Sequence, residues 1–327
     1  MNCLICLKTI AKPGKTNPHY HAKCLEHMFG DRRPRLDLAE SRGDLVTSMP
    51  RKTEGFSISG VQMKAQVELA DRELRLVDNG GQFIMKPSPE EYPHVAENEH
   101  ATLTLMARLG FPVPPCGLIE LKDKHLVFLI RRYDREFSTG EKRHQEDAMQ
   151  ALGISNADSS QKYIAASYQE VIELIIDRAG MAVGIELLER IAFSYLVGND
   201  DHHLKNISFV HDGLVKLAPC YDVLASSLYT NNAAESPMAL RMLRQGEPEA
   251  YAQMGTGFYY GADFLELGTK AGLRARAVTS RLMALGRRVS DIAPEVIQAS
   301  FMPEEMKSLY QALVDQRLKF FEVMQDF

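Results

Sequence analysis

The sequence predicts an α+β protein with two lobes, a small mainly-β N-terminal lobe carrying one packed helix and a larger mainly-α C-terminal lobe. Three observations carry that expectation. From about residue 54 to 135, β-branched and aromatic residues come in short runs punctuated by turn signals. Inside that stretch, "AENEHATLTLMARLG" spaces its apolar residues as a helix does. After roughly residue 140 the pattern changes to long amphipathic segments.

Taken in order, "RELRLVDNGGQFIMKP" reads as a hairpin turning at Asn79, Gly80 and Gly81, and "CGLIELKDKHLVFLIRRYD" as a second hairpin turning around Lys122 to Lys124. Between them, Ala101, Leu103, Leu105, Met106 and Leu109 mark the helix, and Gly110 stops it. The polar stretch "DREFSTGEKRHQEDAM" marks the seam, and its Ser, Thr and Gly predict a loop. Helices are expected in "YQEVIELIIDRAG", "GIELLERIAFSYLVGN", "LRARAVTSRLMALGRRV" and "PEEMKSLYQALVDQRLKFFEVMQ". In the second of these, Leu187, Leu188, Ile191, Ala192 and Tyr195 form one stripe, the mark of a buried face. The expected organisation is an N-terminal segment over 1–50, a sheet lobe over 51–137 and a helical lobe over 138–327.

At 327 residues, 45% hydrophobic and 25% charged, the chain can bury a substantial core in one large or two ordinary domains. Its formal charge of −5 excludes a net positive field that would hold it unaided on nucleic acid or an anionic membrane, so any role on DNA has to come through a partner. No run of about 18 apolar residues occurs, and "MNCLICLKTIAKPGK" lacks the charged start and long apolar stretch of a secretory signal. Five cysteines is an odd count, and Cys116 and Cys220 stand alone, which fits a reducing compartment. A cytoplasmic location with no membrane partner is the expectation.

The most specific stretch is "GNDDHHLKNISFV". From Asp201 it runs Asp, four residues, Asn206, the D-x-x-x-x-N spacing of a kinase catalytic loop. That chemistry needs an aspartate to accept a hydrogen bond from the incoming hydroxyl and an asparagine oxygen for a magnesium ion. Asp222 in "KLAPCYDVL" is well placed to be the second metal ligand, since Mg²⁺ takes a few hard oxygens and keeps several waters. Upstream, Lys86 in "QFIMKP" lies on a predicted strand, where a lysine can neutralise phosphates if Glu97 or Glu99 holds it. In "EGFSISGVQMK", Gly55 and Gly60 bracket Ser57 and Ser59 ahead of Lys64, a pattern open to three readings: a hairpin, a phosphate cradle, or a cradle that is itself phosphorylated.

At the N-terminus, Cys3 and Cys6 form C-x2-C, and after fourteen residues His21 and Cys24 form H-x2-C, with His19 as the rival third ligand. Paired short spacings on either side of a loop suit a tetrahedral structural Zn²⁺. The alternative is a small cluster of reduced cysteines. "GKT" at Gly14–Thr16 is no P-loop, because Thr9 stands where the first glycine is required.

Together "SISGVQMK", "FIMKPSP", "ENEH", "RRYDRE", "HQEDAMQALG", "GNDDHHLKN" and "LAPCYDVL", spread over about residues 54 to 225, resemble the HipA family of bacterial serine/threonine kinases, toxins of type II toxin–antitoxin modules. The resemblance implies a protein-kinase-like bilobal fold using ATP and Mg²⁺. It implies Asp201 as catalytic base, His203 close to the transferred phosphoryl group, and Asn206 and Asp222 on Mg²⁺. Lys64 and Lys86 would contact phosphates under a loop containing Ser59, Gly60 and Val61. Arg131, Arg132 and Tyr133, followed by Asp134, would form the hinge that meets adenine, with Gln145 and Tyr221 lining the nucleotide pocket. Arg131 departs from the acidic residue often found at the first hinge position.

The phosphate loop comes early in this chain, as in HipT, the short kinase of HipBST modules. That likeness implies a HipS-like small protein and a HipB-like DNA-binding antitoxin as partners, with DNA reached only through HipB. It also implies an aminoacyl-tRNA synthetase as substrate, whose phosphorylation halts translation and growth. Ser57 matches the family's autophosphorylated loop serine and Ser59 is the second candidate; phosphate there is expected to act as an off-switch by repelling ATP. The alternatives are a catalytically silent pseudokinase acting as scaffold or co-repressor, and a small-molecule kinase. Retention of Lys86, Asp201, Asn206 and Asp222 argues against silence.

Overall fold

The computed structural model describes residues 1–38, 40–48, 63–229 and 237–324, with only the backbone described for 46–48. It divides into two compact units, one of Met1–Lys142, Pro219–Leu224 and Glu295–Glu304, the other of Arg143–Ala218, Ala225–Pro294 and Glu305–Phe327.

The first unit begins with a bridge between Asn2 and Thr9, then α1 (Ala22–Phe29) and α2 (Arg42–Ser48). Its antiparallel sheet comprises β1 (Ala65–Ala70), β2 (Glu73–Val77), β3 (Phe83–Pro87), β4 (Cys116–Glu120) and β5 (Leu126–Arg131), in the order β2-β1-β3-β5-β4. Helix α3 (Val95–Arg108) packs on β3, β4 and β5, burying Ala101, Leu103, Leu105 and Met106 as their spacing predicts. Leu109 is buried just beyond it, and Gly110 takes a φ of 88° that disfavours other residues.

The β4–β5 hairpin forms as expected, with Cys116 opposite Ile130 and Glu120 opposite Leu126. The hairpin expected across Asn79–Gly81 does not. Strand β1 lies between β2 and β3, so that Val67 faces Leu76 on one side and Phe83 on the other. The tight turn is instead at Asp71 and Arg72, whose φ values of 52° and 68° match the twist of a two-residue hairpin loop. Gly81 passes over β1 so closely that a Cβ there would stand 2.8 Å from Val67 N.

In the other unit, β6 (His144–Asp147), β7 (Ser208–Asp212) and β8 (Leu214–Leu217) form a second antiparallel sheet in the order β6-β7-β8. Its first strand lies in the stretch expected to be a loop. "HQED" has no apolar alternation, and it is a strand because β7 supplies partners for its backbone, Gln145 opposite Val210 and Asp147 opposite Ser208.

The helices are α4 (Ala148–Ala151), α5 (Gln161–Ile164), α6 (Tyr168–Ala179), α7 (Met181–Leu196), α8 (Glu249–Met254), α9 (Gly261–Lys270), α10 (Ala275–Ala299) and α11 (Glu304–Phe321). Four of them match the sequence expectation. Ser167 and Glu170 form a reciprocal capping box that starts α6, and the Leu187–Tyr195 stripe of α7 is buried. Two sheets and a helical C-terminal part make this an α+β fold. Among the described residues, no helix is long and apolar enough to cross a membrane.

Candidate active site

In the first unit, β3 carries Lys86 into the core, where it is 3% exposed beneath α3. Its Nζ donates to Glu99 Oε1 at 2.5 Å and to Asp222 Oδ1, and it lies 5.5 Å from the centre of the Phe128 ring. Lys64 Nζ reaches the other oxygen of Asp222 at 3.0 Å. Glu99 is therefore the helix carboxylate that meets Lys86, while Glu97 pairs with His94 Nδ1 at 3.0 Å. Asp222 has a φ of 53°, a left-handed conformation that aspartate tolerates better than most residues.

Burial opposes the charge on Lys86, Glu99 and Asp222. For Asp222 the two lysines overcome it and hold the carboxyl well below the usual range. For Lys86, Asp222 and Glu99 overcome it and hold the ammonium charged well above its ordinary value. Glu99 goes the other way, pushed up by burial despite Lys86, and its Oε2 has no hydrogen-bond partner among the described residues. The cluster is a cation pair gathered on one strongly anionic carboxylate, a donor set that suits phosphate oxygens and a hard cation.

In the second unit, α7 ends at the turn that carries Asp201, His203 and Asn206. Gly198 is required there, because at φ 75° a Cβ would come within 2.3 Å of Ser227 Oγ. Asp201 is 6% exposed; its Oδ1 accepts from Tyr163 Oη at 2.5 Å and lies 3.8 Å from His203 Nε2. His203 is buried and packs edge-on against Tyr163, with ring centres 5.0 Å apart. Asn206 closes a short 3-10 turn, and its Nδ2 donates to the Asp201 carbonyl at 2.8 Å, which fixes the amide group on the turn. His202 is also buried, and burial, then His203 and Arg190, pushes it down to about 3, so it is neutral and no cation.

The expected hinge residues lie at the end of β5. Arg132 forks onto Asp134 at 2.9 and 2.6 Å and donates its backbone N–H to Gln82, while Arg131 stacks on Phe137 at 4.6 Å. Tyr133 and Tyr221 pack at 5.3 Å in the first unit. Gln145 is exposed on β6 in the second unit. Ser57, Ser59, Gly60 and Val61 lie outside the described residues.

Cys3, Cys6, His21 and Cys24 come together with one ligand atom each inside 4.8 Å. Of the two histidines left open by spacing, His21 joins the cluster, with Nδ1 3.4 Å from Cys6 Sγ and 4.0 Å from Cys24 Sγ. Hydrogen bonds from Cys24 and Cys6 hold Cys3 well below the usual thiol range, and the same sharing pushes Cys24 up. Tyr163 and His100 are the residues at these places that periodicity and spacing did not single out. A lone tyrosine in the four-residue helix α5 carries no local signal, and His100 is visible only as part of "ENEH".

A lysine–glutamate pair joined to an aspartate, and an Asp-x4-Asn turn, are the parts of a kinase. Two solved structures of low identity share the fold. Shewanella oneidensis HipA, solved with HipB and operator DNA, matches with a TM-score of 0.70 at 20% identity over 89% of this chain and 76% of that one. The Helicobacter pylori proinflammatory kinase CtkA matches with a TM-score of 0.52 at 15% identity over 84% and 92%. In sequence, the family described as HipA-like C-terminal domain matches residues 56–293. A Haemophilus influenzae protein named "Putative kinase" is 34% identical over 320 residues, 92% of each chain. The serine/threonine-protein kinase toxin HipA of Shewanella oneidensis is 25% identical over 260 residues, 74% of this chain and 57% of that one. The chain belongs to the HipA-like kinase family.

Proposed function

We propose that this chain is an ATP- and Mg²⁺-dependent serine/threonine protein kinase, the toxin of a type II toxin–antitoxin module, of the short HipT kind. The observation that carries the reading is the buried Lys86, bonded to Glu99 at 2.5 Å and to Asp222, because a structural core rarely gathers several ionisable groups out of water in this way. In this reading Lys86 and Lys64 take phosphate oxygens, and Asn206 and Asp222 supply oxygens to Mg²⁺, which offsets phosphate charge. Asp201 accepts the proton of the substrate hydroxyl, with Tyr163 fixing its carboxylate and His203 beside it. Arg131 to Asp134, Gln145 and Tyr221 serve the nucleotide base.

The protein substrate is an aminoacyl-tRNA synthetase, and growth arrest follows from its phosphorylation. Ser57 and Ser59 are autophosphorylation sites in a phosphate loop with Gly60 and Val61. A HipS-like protein and a HipB-like DNA-binding antitoxin are the partners, in the cytoplasm. Support comes from kinship with the Shewanella oneidensis toxin and from the solved assembly of that protein with HipB and operator DNA. The organisation expected from sequence, 1–50, 51–137 and 138–327, is part of the same reading, with Cys3, Cys6, His21 and Cys24 holding a structural Zn²⁺ in the first segment.

Incubation of the purified chain with Mg-ATP and a panel of aminoacyl-tRNA synthetases, followed by phosphosite mapping, tests it. Transfer to a synthetase serine and to Ser57 or Ser59 is expected. Absence of transfer to any protein, itself included, overturns the kinase reading.

A further inference from the structure

The Cys/His cluster is tied to the same helix that carries Glu99. We infer that Zn²⁺ held by Cys3, Cys6, His21 and Cys24 positions the Lys86–Glu99 pair, through a hydrogen bond from His100 to the Ile5 carbonyl; this rests on the zinc and kinase readings above.

The first step is fit. Tetrahedral Zn–S and Zn–N bonds place ligand atoms about 3.5–3.8 Å apart. The observed separations of 3.4 and 4.0 Å from His21 Nδ1 bracket that range, and the whole set lies within 4.8 Å. The Cys3–Cys6 loop folds tightly, with Leu7 N donating to Cys3 O at 3.0 Å and Leu7 itself at a φ of 60°. A leucine takes that left-handed conformation only when its surroundings over-determine it. The His21 amide donates to Cys3 Sγ at 3.4 Å, as a thiolate ligand requires.

The second step is the connection. Ile5 lies inside the C-x2-C loop, and its carbonyl accepts from His100 Nε2 at 2.9 Å. The loop is pinned from the other side by β4. A Cβ on Gly117 would come 2.7 Å from Ile5 Cγ1, Leu118 N donates to the Leu4 carbonyl at 2.8 Å, and Tyr20 Oη donates to the Leu118 carbonyl at 3.0 Å. The loop therefore covers the free edge of β4 while holding α3.

The third step is the consequence. His100 is fully buried, and its Nδ1 has no partner among the described residues, so losing Ile5 would strand the other ring nitrogen as well. Glu99 is its neighbour on α3, and the 2.5 Å contact with Lys86 tolerates little movement of that helix. Without the metal, the loop around Ile5 keeps only apolar packing and a few backbone hydrogen bonds such as that from Leu118 N to the Leu4 carbonyl, and so short a segment needs a staple.

The test uses the full chain. Elemental analysis of the purified protein should find about one zinc per chain, lost in Cys3→Ser. Chelation followed by return to Mg²⁺ buffer should speed hydrogen exchange in residues 95–108 and weaken binding of a non-hydrolysable ATP analogue about five- to tenfold, the worth of one buried hydrogen bond. His100→Phe should reproduce this with zinc still bound, and His100→Gln, which keeps an N–H donor, should restore much of the protection and affinity. Zinc-free wild-type protein overturns the inference, and so does a zinc-loaded protein whose α3 exchange ignores chelation. If His100→Phe fails to fold, the chelation and His100→Gln arms still decide. Zinc-responsive α3 exchange without any phosphoryl transfer supports the coupling and overturns the kinase reading instead.

Discussion

Lys86 and Asp201 are both ionisable side chains taken almost wholly out of water, at 3% and 6% exposure, but their surroundings differ in kind. Lys86 sits among formal charges, Glu99 and Asp222, with Lys64 completing the group. Asp201 sits beside a tyrosine hydroxyl at 2.5 Å and a histidine ring at 3.8 Å. Counter-charges lock a buried group into one protonation state, which suits a residue that must stay cationic against phosphate. A carboxylate held by a hydroxyl donor beside an imidazole is oriented for a hydrogen bond from a substrate hydroxyl, the part the proposed reading gives to Asp201.

The largest effects should separate the two places cleanly. Asp201→Asn is expected to lower phosphoryl transfer by about 10²–10⁴-fold while leaving nucleotide affinity near wild type, measured by labelled-phosphate transfer and by nucleotide titration. Retained transfer would remove Asp201 from the role of base. Lys86→Met should abolish transfer too, but by a different route. It leaves Asp222 and Glu99 without their shared ammonium, and breaking a buried pair from one side costs about 3 kcal/mol. Denaturant unfolding should therefore show a large loss for Lys86→Met and a small one for Asp201→Asn. Equal losses would erase the contrast between a charge-locked cluster and a carboxylate held by a tyrosine hydroxyl.

Much of this was legible beforehand, for reasons particular elements make plain. The Leu187–Tyr195 stripe and the β4–β5 hairpin follow local periods of 3.6 and 2, and both appear where expected. The insertion of β1 between β2 and β3, and the polar strand β6, depend on pairing between distant segments that no local pattern encodes. The Asp201–Asn206 spacing was visible because a turn fixes it in sequence. Glu97 and Glu99 were not separable, since both fall near the start of α3 and only its packing on the sheet decides which one meets Lys86. The phosphate-loop serines, Ser57 and Ser59, fall outside the described residues.

The contrast also predicts a pH dependence. His202, next to Asp201, is pushed down to about 3, chiefly by burial, against an ordinary value of about 6.5. Below about pH 6.5 the unfolded chain takes up a proton that the folded histidine refuses, so stability falls as pH drops from about 6.5 towards 3, by up to about 1.4 kcal/mol per unit. Asp263, raised by burial to about 6, works in the opposite sense between about 6 and 3.8, because its folded form holds the proton more tightly. The difference between wild type and His202→Gln isolates the histidine, and it should grow in favour of the variant on acidification. Asp222 adds nothing in that range. Its folded value is depressed, so its contribution is present above about 3.8 and lost only below. A wild-type-minus-variant difference that stays flat from pH 7 to 4 would mean that His202 is not held neutral.

The smallest effect probes the Asp201 loop alone. Tyr163 donates to Asp201 Oδ1 at 2.5 Å from the short helix α5, and its ring also packs edge-on against His203. Tyr163→Phe keeps the ring contact and removes only the hydroxyl, so the fold should lose little. A hydrogen bond to a charged group is worth about 1.5–3 kcal/mol, and water entering the space recovers part of that, which leaves about a tenfold fall in kcat. KM for ATP should stay unchanged, because in the proposed reading the lost bond orients Asp201 as the base and does not touch the nucleotide. A rise in KM with kcat preserved would place Tyr163 on the nucleotide instead. Asp201 would then have to be oriented by His203 and the backbone of its own turn, and the division between a charge-locked cluster and a carboxylate held by a tyrosine hydroxyl would no longer describe how the two places differ.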